Sequence, residues 1–120
     1  MTAVVSAGLL AAAVITVVIN GIEAVGKIAR AGFVMKNSTR VGVDPRWLPH
    51  LAVLEGAGTV GVALGIAGVP VVGTAAAIGL VLFFVGAVVV HLRSRVYRTI
   101  GFPAGFLVLA GLTVGYFATA

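Results

Sequence analysis

The chain is built from long apolar runs separated by two short polar stretches, and the run lengths set the architecture. Met1 to Ile22 holds no charged residue or histidine, which as helix is enough to cross a hydrocarbon layer of roughly 30 Å. A second apolar tract starts at Trp47 and continues to Val90, broken only by His50 and Glu55 among ionisable residues. At about twice the length one crossing needs, it must turn. Gly68-Val69-Pro70 is the strong punctuation inside it, because glycine favours a helix end and proline the first turn of the next helix. Thr99 to Ala120 is again free of charge. The pattern predicts an all-α integral membrane protein: an antiparallel four-helix bundle, one transmembrane domain over residues 1–120, with spans near 2–26, 46–67, 70–91 and 99–119.

Charge placement supports that count. Lys27, Arg30, Lys36, Arg40 and Arg46 fall between the first two spans, and Arg93, Arg95 and Arg98 between the last two. Four crossings put both basic loops on one side, which an excess of Lys and Arg marks as cytoplasmic. The termini and the Gly68 turn then lie outside. No basic residue precedes the first span, so it lacks the n-region of a secretory signal and reads as an uncleaved anchor. A bacterial-type inner or plasma membrane is the expected location. The net charge of +5 then serves topology and contact with anionic lipids. Nucleic acid is not an expected partner, since aromatic stacking residues are not interleaved with the basic ones.

Asp44-Pro45-Arg46-Trp47 reads as a helix entrance, with Asp44 as cap, Pro45 in the first turn and Trp47 at the membrane interface. Tyr97 and Tyr116 are placed to mark the two interfaces of the last span. Between Ala29 and Val43 the apolar and basic residues do not separate onto two faces, so the pattern fixes no element there.

Composition sharpens the picture. Sixty-one per cent apolar residues with 9 % charged exceed what a soluble domain of 12.0 kDa can bury, and the mean hydropathy is +1.22. Soluble enzyme folds are excluded. With no cysteine there is no disulfide, thiolate metal site or thiol catalysis, and two histidines with three acids predict no metal site. Seventeen glycines suit close helix packing in lipid. Ala57, Gly61 and Gly65 recur every four residues, as do Gly111 with Gly115 and Gly8 with Ala12; each pattern predicts a close-packed seam, within the bundle or between two copies.

The polar residues kept inside the spans carry the functional information, since an ionisable group at membrane depth is costly. Glu55 follows Trp47 by eight residues, about 12 Å along a helix. Asn20, Glu23 and Lys27 fall at i, i+3 and i+7 and share one helix face. His91 closes the third span. Counted inward from the basic loops, Asn20, Glu23, Lys27, Glu55 and His91 fall in one half of the membrane. They are expected to line one polar pocket opening toward the cytoplasm, with Glu55 and His91 as catalytic candidates. Against this, Lys27 and His91 could simply snorkel to headgroups, Glu23 could serve only as Lys27's partner, and Glu55 could be packing glue.

Three segments carry a family resemblance: Ala24-Val25-Gly26-Lys27-Ile28; Pro45-Arg46-Trp47-Leu48-Pro49 with Val53-Leu54-Glu55-Gly56; and Gly86-Ala87-Val88-Val89-Val90-His91-Leu92-Arg93. Together they resemble the DoxX-like family of small four-span membrane proteins. Ala24 departs from the pattern, which commonly has glycine three residues before the lysine, and this puts close packing at that point in question. The resemblance implies an antiparallel four-helix bundle, a link to quinone-using membrane oxidoreductase assemblies, and Lys27, Glu55 and His91 as the corresponding positions; Asn20 and Glu23 come from the helix-face argument alone.

Three functions fit these residues. One is an accessory subunit of a redox complex binding a quinone or lipidic ligand, with no cofactor encoded in the chain itself. Another is a membrane-embedded isomerase, epoxide-opening enzyme or cyclase with Glu55 as general acid. The third is a proton-coupled transporter of small molecules. Membrane lipids, a hydrophobic small molecule, and a second copy or a redox-complex subunit are the expected partners.

Overall fold

A computed structural model describes residues 2–120. The helices are α1 (Ala3–Ile28), α2 (Gly32–Arg40), α3 (Leu48–Ala67), α4 (Pro70–Arg93) and α5 (Gly101–Thr119), with a 3₁₀ turn at Pro45–Trp47 leading into α3. No strand occurs among the described residues. All but α2 are long and apolar enough to cross a membrane. They form a closed ring: α1 packs on α3 and α5, and α4 on the same two. The 42 Å long axis exceeds the roughly 30 Å of a hydrocarbon layer.

The ends shift from expectation by local chemistry. α1 runs on to Ile28, so Glu23 and Lys27 are helical. Asp44 does cap, accepting from Arg46 N–H at 3.0 Å, but it caps the 3₁₀ turn, and α3 proper begins at Leu48. α4 ends at Arg93 rather than 91. Thr99 and Ile100 form a turn before α5, where Pro103 falls within the first turn and forfeits no ladder bond. At the α3–α4 turn Gly68 has φ +129°, a value side chains rarely adopt, and Val69 N–H donates to the Leu64 carbonyl at 3.0 Å.

Burial is inverted relative to a soluble bundle. Val4, Ile22, Val71, Leu82 and Val108 look outward, while Thr16, Asn20, Glu55, His91 and Thr113 are buried. Across the interior the Thr16 and Thr113 hydroxyls bond at 3.0 Å, joining α1 to α5.

Only one of the three expected glycine seams is tight. A Cβ added to Gly61 would lie 2.5 Å from Ala76 Cβ, and one on Gly73 would lie 2.7 Å from Gly65 Cα and 2.5 Å from the Phe117 ring. α3 and α4 therefore meet almost backbone to backbone, with Phe117 of α5 filling the corner. Ala57 itself is exposed, and Gly58 makes the next approach, against Leu80. Gly8 and Gly111 have open space where a Cβ would sit, and Gly115 only just reaches Leu9. Spacing creates a stripe of small residues, but helix rotation decides which way it faces. Ala24, where glycine was expected, is buried, and Gly56 across from it on α3 leaves the room: a Cβ there would sit 3.9 Å from that of Ala24.

α2 fills the gap that the pattern left open. It packs on α1 and on the turn before α3, burying Val34 and Ser38. Gly26 admits it, since a Cβ there would stand 3.1 Å from the Phe33 ring. Beyond it, Ser94 Oγ donates to the Val41 carbonyl at 2.8 Å, tying this connection to the end of α4. Of the expected interface markers, Trp47 and Tyr97 are exposed, whereas Tyr116 is half-buried against Phe117.

Candidate functional site

Lys27 stands in the last turn of α1, one residue before its end, and reaches across to α3. Its ammonium donates to Glu55 Oε1 at 2.6 Å and lies 3.5 Å from Glu23 Oε2. Glu55 is fully buried, while the Lys27 side chain keeps 13 % exposure. The i, i+4 spacing of Glu23 and Lys27 puts both on the face that meets α3. Lys27 also lies 5.8 Å from the Phe83 ring centroid, within reach of a cation–π contact.

Two buried polar atoms on this wall have no partner. Glu55 Oε2 is buried without a hydrogen bond. His91, 3 % exposed, places Nδ1 2.7 Å from the Ala87 carbonyl. A carbonyl can only accept, so Nδ1 carries the proton, and Nε2 is buried and unpartnered. Buried polar atoms without partners are rare and costly, and each calls for an explanation.

Glu23, Lys27, Glu55 and His91 all line one cavity of about 360 Å³, within the roughly 300–1,000 Å³ range of small-molecule sites. Phe83 and Phe84 of α4 with Phe102 and Phe106 of α5 form its apolar wall; Phe84 and Phe106 meet edge to face at 5.2 Å. Asn37 and Ser38 of α2 close the end that carries the basic loops.

Asn20 stands outside that wall. It is fully buried one turn deeper on α1, and its Nδ2 donates to the Thr16 carbonyl at 2.9 Å. His50 is exposed and tilted against Trp47, ring centroids 5.5 Å apart. The contributions of α2 and of the two α5 phenylalanines escape sequence reasoning. The only hint of the latter is their i, i+4 spacing, in a helix that is apolar throughout. Among the described residues, no three His, Asp or Glu side chains gather in a set that could hold a metal ion.

A family model described as the DoxX-like family matches residues 3–113. That stretch takes in every residue of the cavity wall and most of all four spans. The chain belongs to the DoxX-like family. No curated protein matches it in a search of that kind, and no solved structure does either. This DoxX-like protein is thus a small integral membrane protein in which Glu23, Lys27, Glu55 and His91 line one cavity.

Proposed function

We propose that this DoxX-like protein binds a hydrophobic small molecule with a polar head, of the quinone or polar-lipid class, and acts as an accessory subunit of a membrane redox assembly. The observation that carries this reading is the pairing of two unpartnered buried atoms, Glu55 Oε2 and His91 Nε2, with an aromatic wall in one cavity. The residues fit such a ligand: aromatic rings stack on a planar head, and polar atoms fix its orientation. A bound quinone would supply the electron chemistry. The chain's own residues hold the head, exclude water and keep charge balanced through Lys27. The family supports the redox setting by analogy. By the charge asymmetry of the loops, the cavity lies in the cytoplasmic half.

The opposite half of the bundle supports a one-sided site over a path through the membrane. There Gly65, Gly73 and Phe117 close the interior, and Val62, Ala77 and Leu80 pack without exposure.

Ala87 lines the cavity, and a phenylalanine there would fill it while leaving the backbone carbonyl for His91. Native mass spectrometry with lipid extraction on gently solubilised protein is the test. A quinone or other polar-headed lipid retained by wild type and lost from Ala87→Phe is the expected result. Ordinary phospholipids alone in both would overturn the reading.

A further inference from the structure

The hydrogen-bond inventory of the cavity is lopsided. On the Glu55 carboxylate, Lys27 occupies Oε1 at 2.6 Å, a short charge-assisted bond, and Oε2 is left as an acceptor. On His91, Nδ1–H donates to the Ala87 carbonyl, and in the neutral tautomer with that bond Nε2 is an acceptor too. Asn37 and Ser38 bring donors at the α2 end of the cavity, and beside Glu55 the Lys27 ammonium has three protons, of which Glu55 and Glu23 engage two. A carbonyl head could accept a hydrogen bond from the remaining Lys27 N–H but would leave both acceptors bare. A hydroxyl accepts and donates at once, so it can accept a hydrogen bond from Lys27 while donating one to Glu55 or His91.

The geometry points to a cavity selective for a ligand whose head donates hydrogen bonds: a hydroxylated ring such as a hydroquinone, in preference to the quinone of the same carbon frame. This deepens the binding role proposed above and rests on it. It concerns affinity alone and requires no electron transfer within the chain. A site built around buried acceptors rejects a ligand that cannot satisfy them far more strongly than an apolar pocket rejects a change of shape.

The experiment is equilibrium binding to wild type in lipid nanodiscs, using three probes that share a short alkyl tail: a benzoquinone, its hydroquinone, and the dimethyl ether of that hydroquinone. The hydroquinone is expected to bind at least about tenfold tighter than either of the others, the ratio that one unsatisfied buried acceptor produces. Quinone binding as tight as hydroquinone, or a dimethyl ether that matches it, overturns the selectivity and leaves the binding role standing. Failure of all three to bind overturns both.

Glu55→Gln supplies a second readout. With Lys27 still bonded to the amide oxygen, the NH₂ group replaces the Oε2 acceptor by a donor. The hydroquinone-to-quinone ratio should fall or invert in this variant, and an unchanged ratio would overturn the proposal. If Glu55→Gln does not fold, the wild-type ratios decide alone.

Discussion

At the scale of the residue, the Lys27–Glu55 pair shows how a membrane interior treats charge. Glu55 is buried on α3 and its charge is balanced from α1, so removing Lys27 would leave a carboxylate without a counter-ion. Lys27→Met should destabilise the protein by about 3 kcal/mol, the scale of a broken buried pair, read as lowered Tm in detergent. Pairing it with Glu55→Leu should recover much of that loss. Additive losses in the double variant would show that the two side chains do not act as a unit. These residues were legible in the sequence because ionisable groups are scarce in apolar runs. Asn20 shares their helix face but lies about 4.5 Å deeper than Glu23, where the bundle has closed around it; face can be read from spacing, and depth of a cavity cannot. Phe102 and Phe106 gave no signal beyond their i, i+4 spacing, since an apolar residue in an apolar helix faces lipid or protein with equal ease.

At the scale of the element, run length and turn chemistry made the four spans legible, and helix phase hid the seams. The α3–α4 contact depends on glycines that face each other, so Gly73→Ala must push the helices apart or displace Phe117. A cost of about 1–3 kcal/mol is expected for such overpacking. Gly79, on the same helix, has open space beside it, and Gly79→Ala should be neutral or stabilising by about 0.5 kcal/mol through lower backbone entropy alone. Thermal unfolding of the two variants side by side tests this contrast, and equal losses would place the seam elsewhere. α2 was illegible for a different reason. Its nine residues are too few to form a stable helix alone, and it is held by what it touches: the space beside Gly26 and the Ser94 bond beyond its end.

At the scale of the whole molecule, the two basic loops share one end of the bundle, and the Gly68 turn lies at the other. Because the chain has no cysteine, single cysteines can report sidedness without background. Lys36→Cys should react with a membrane-impermeant maleimide only from the cytoplasmic side, and Val69→Cys only from outside; the reverse pattern would invert the orientation read from charge. The closed ring has one more consequence. α1 packs against α5, with Leu9 beside Gly115 and Thr16 bonded to Thr113, so the first and last helices begin and finish as neighbours at the same end. Chain order is thus nearly incidental to the packed object. A circular permutant joining Thr119 to Ala3 through a short flexible linker and opened at Gly68 would run α4, α5, α1, α2, α3, with every helix–helix contact and both basic loops retained. It should insert the same way round and keep the same cavity.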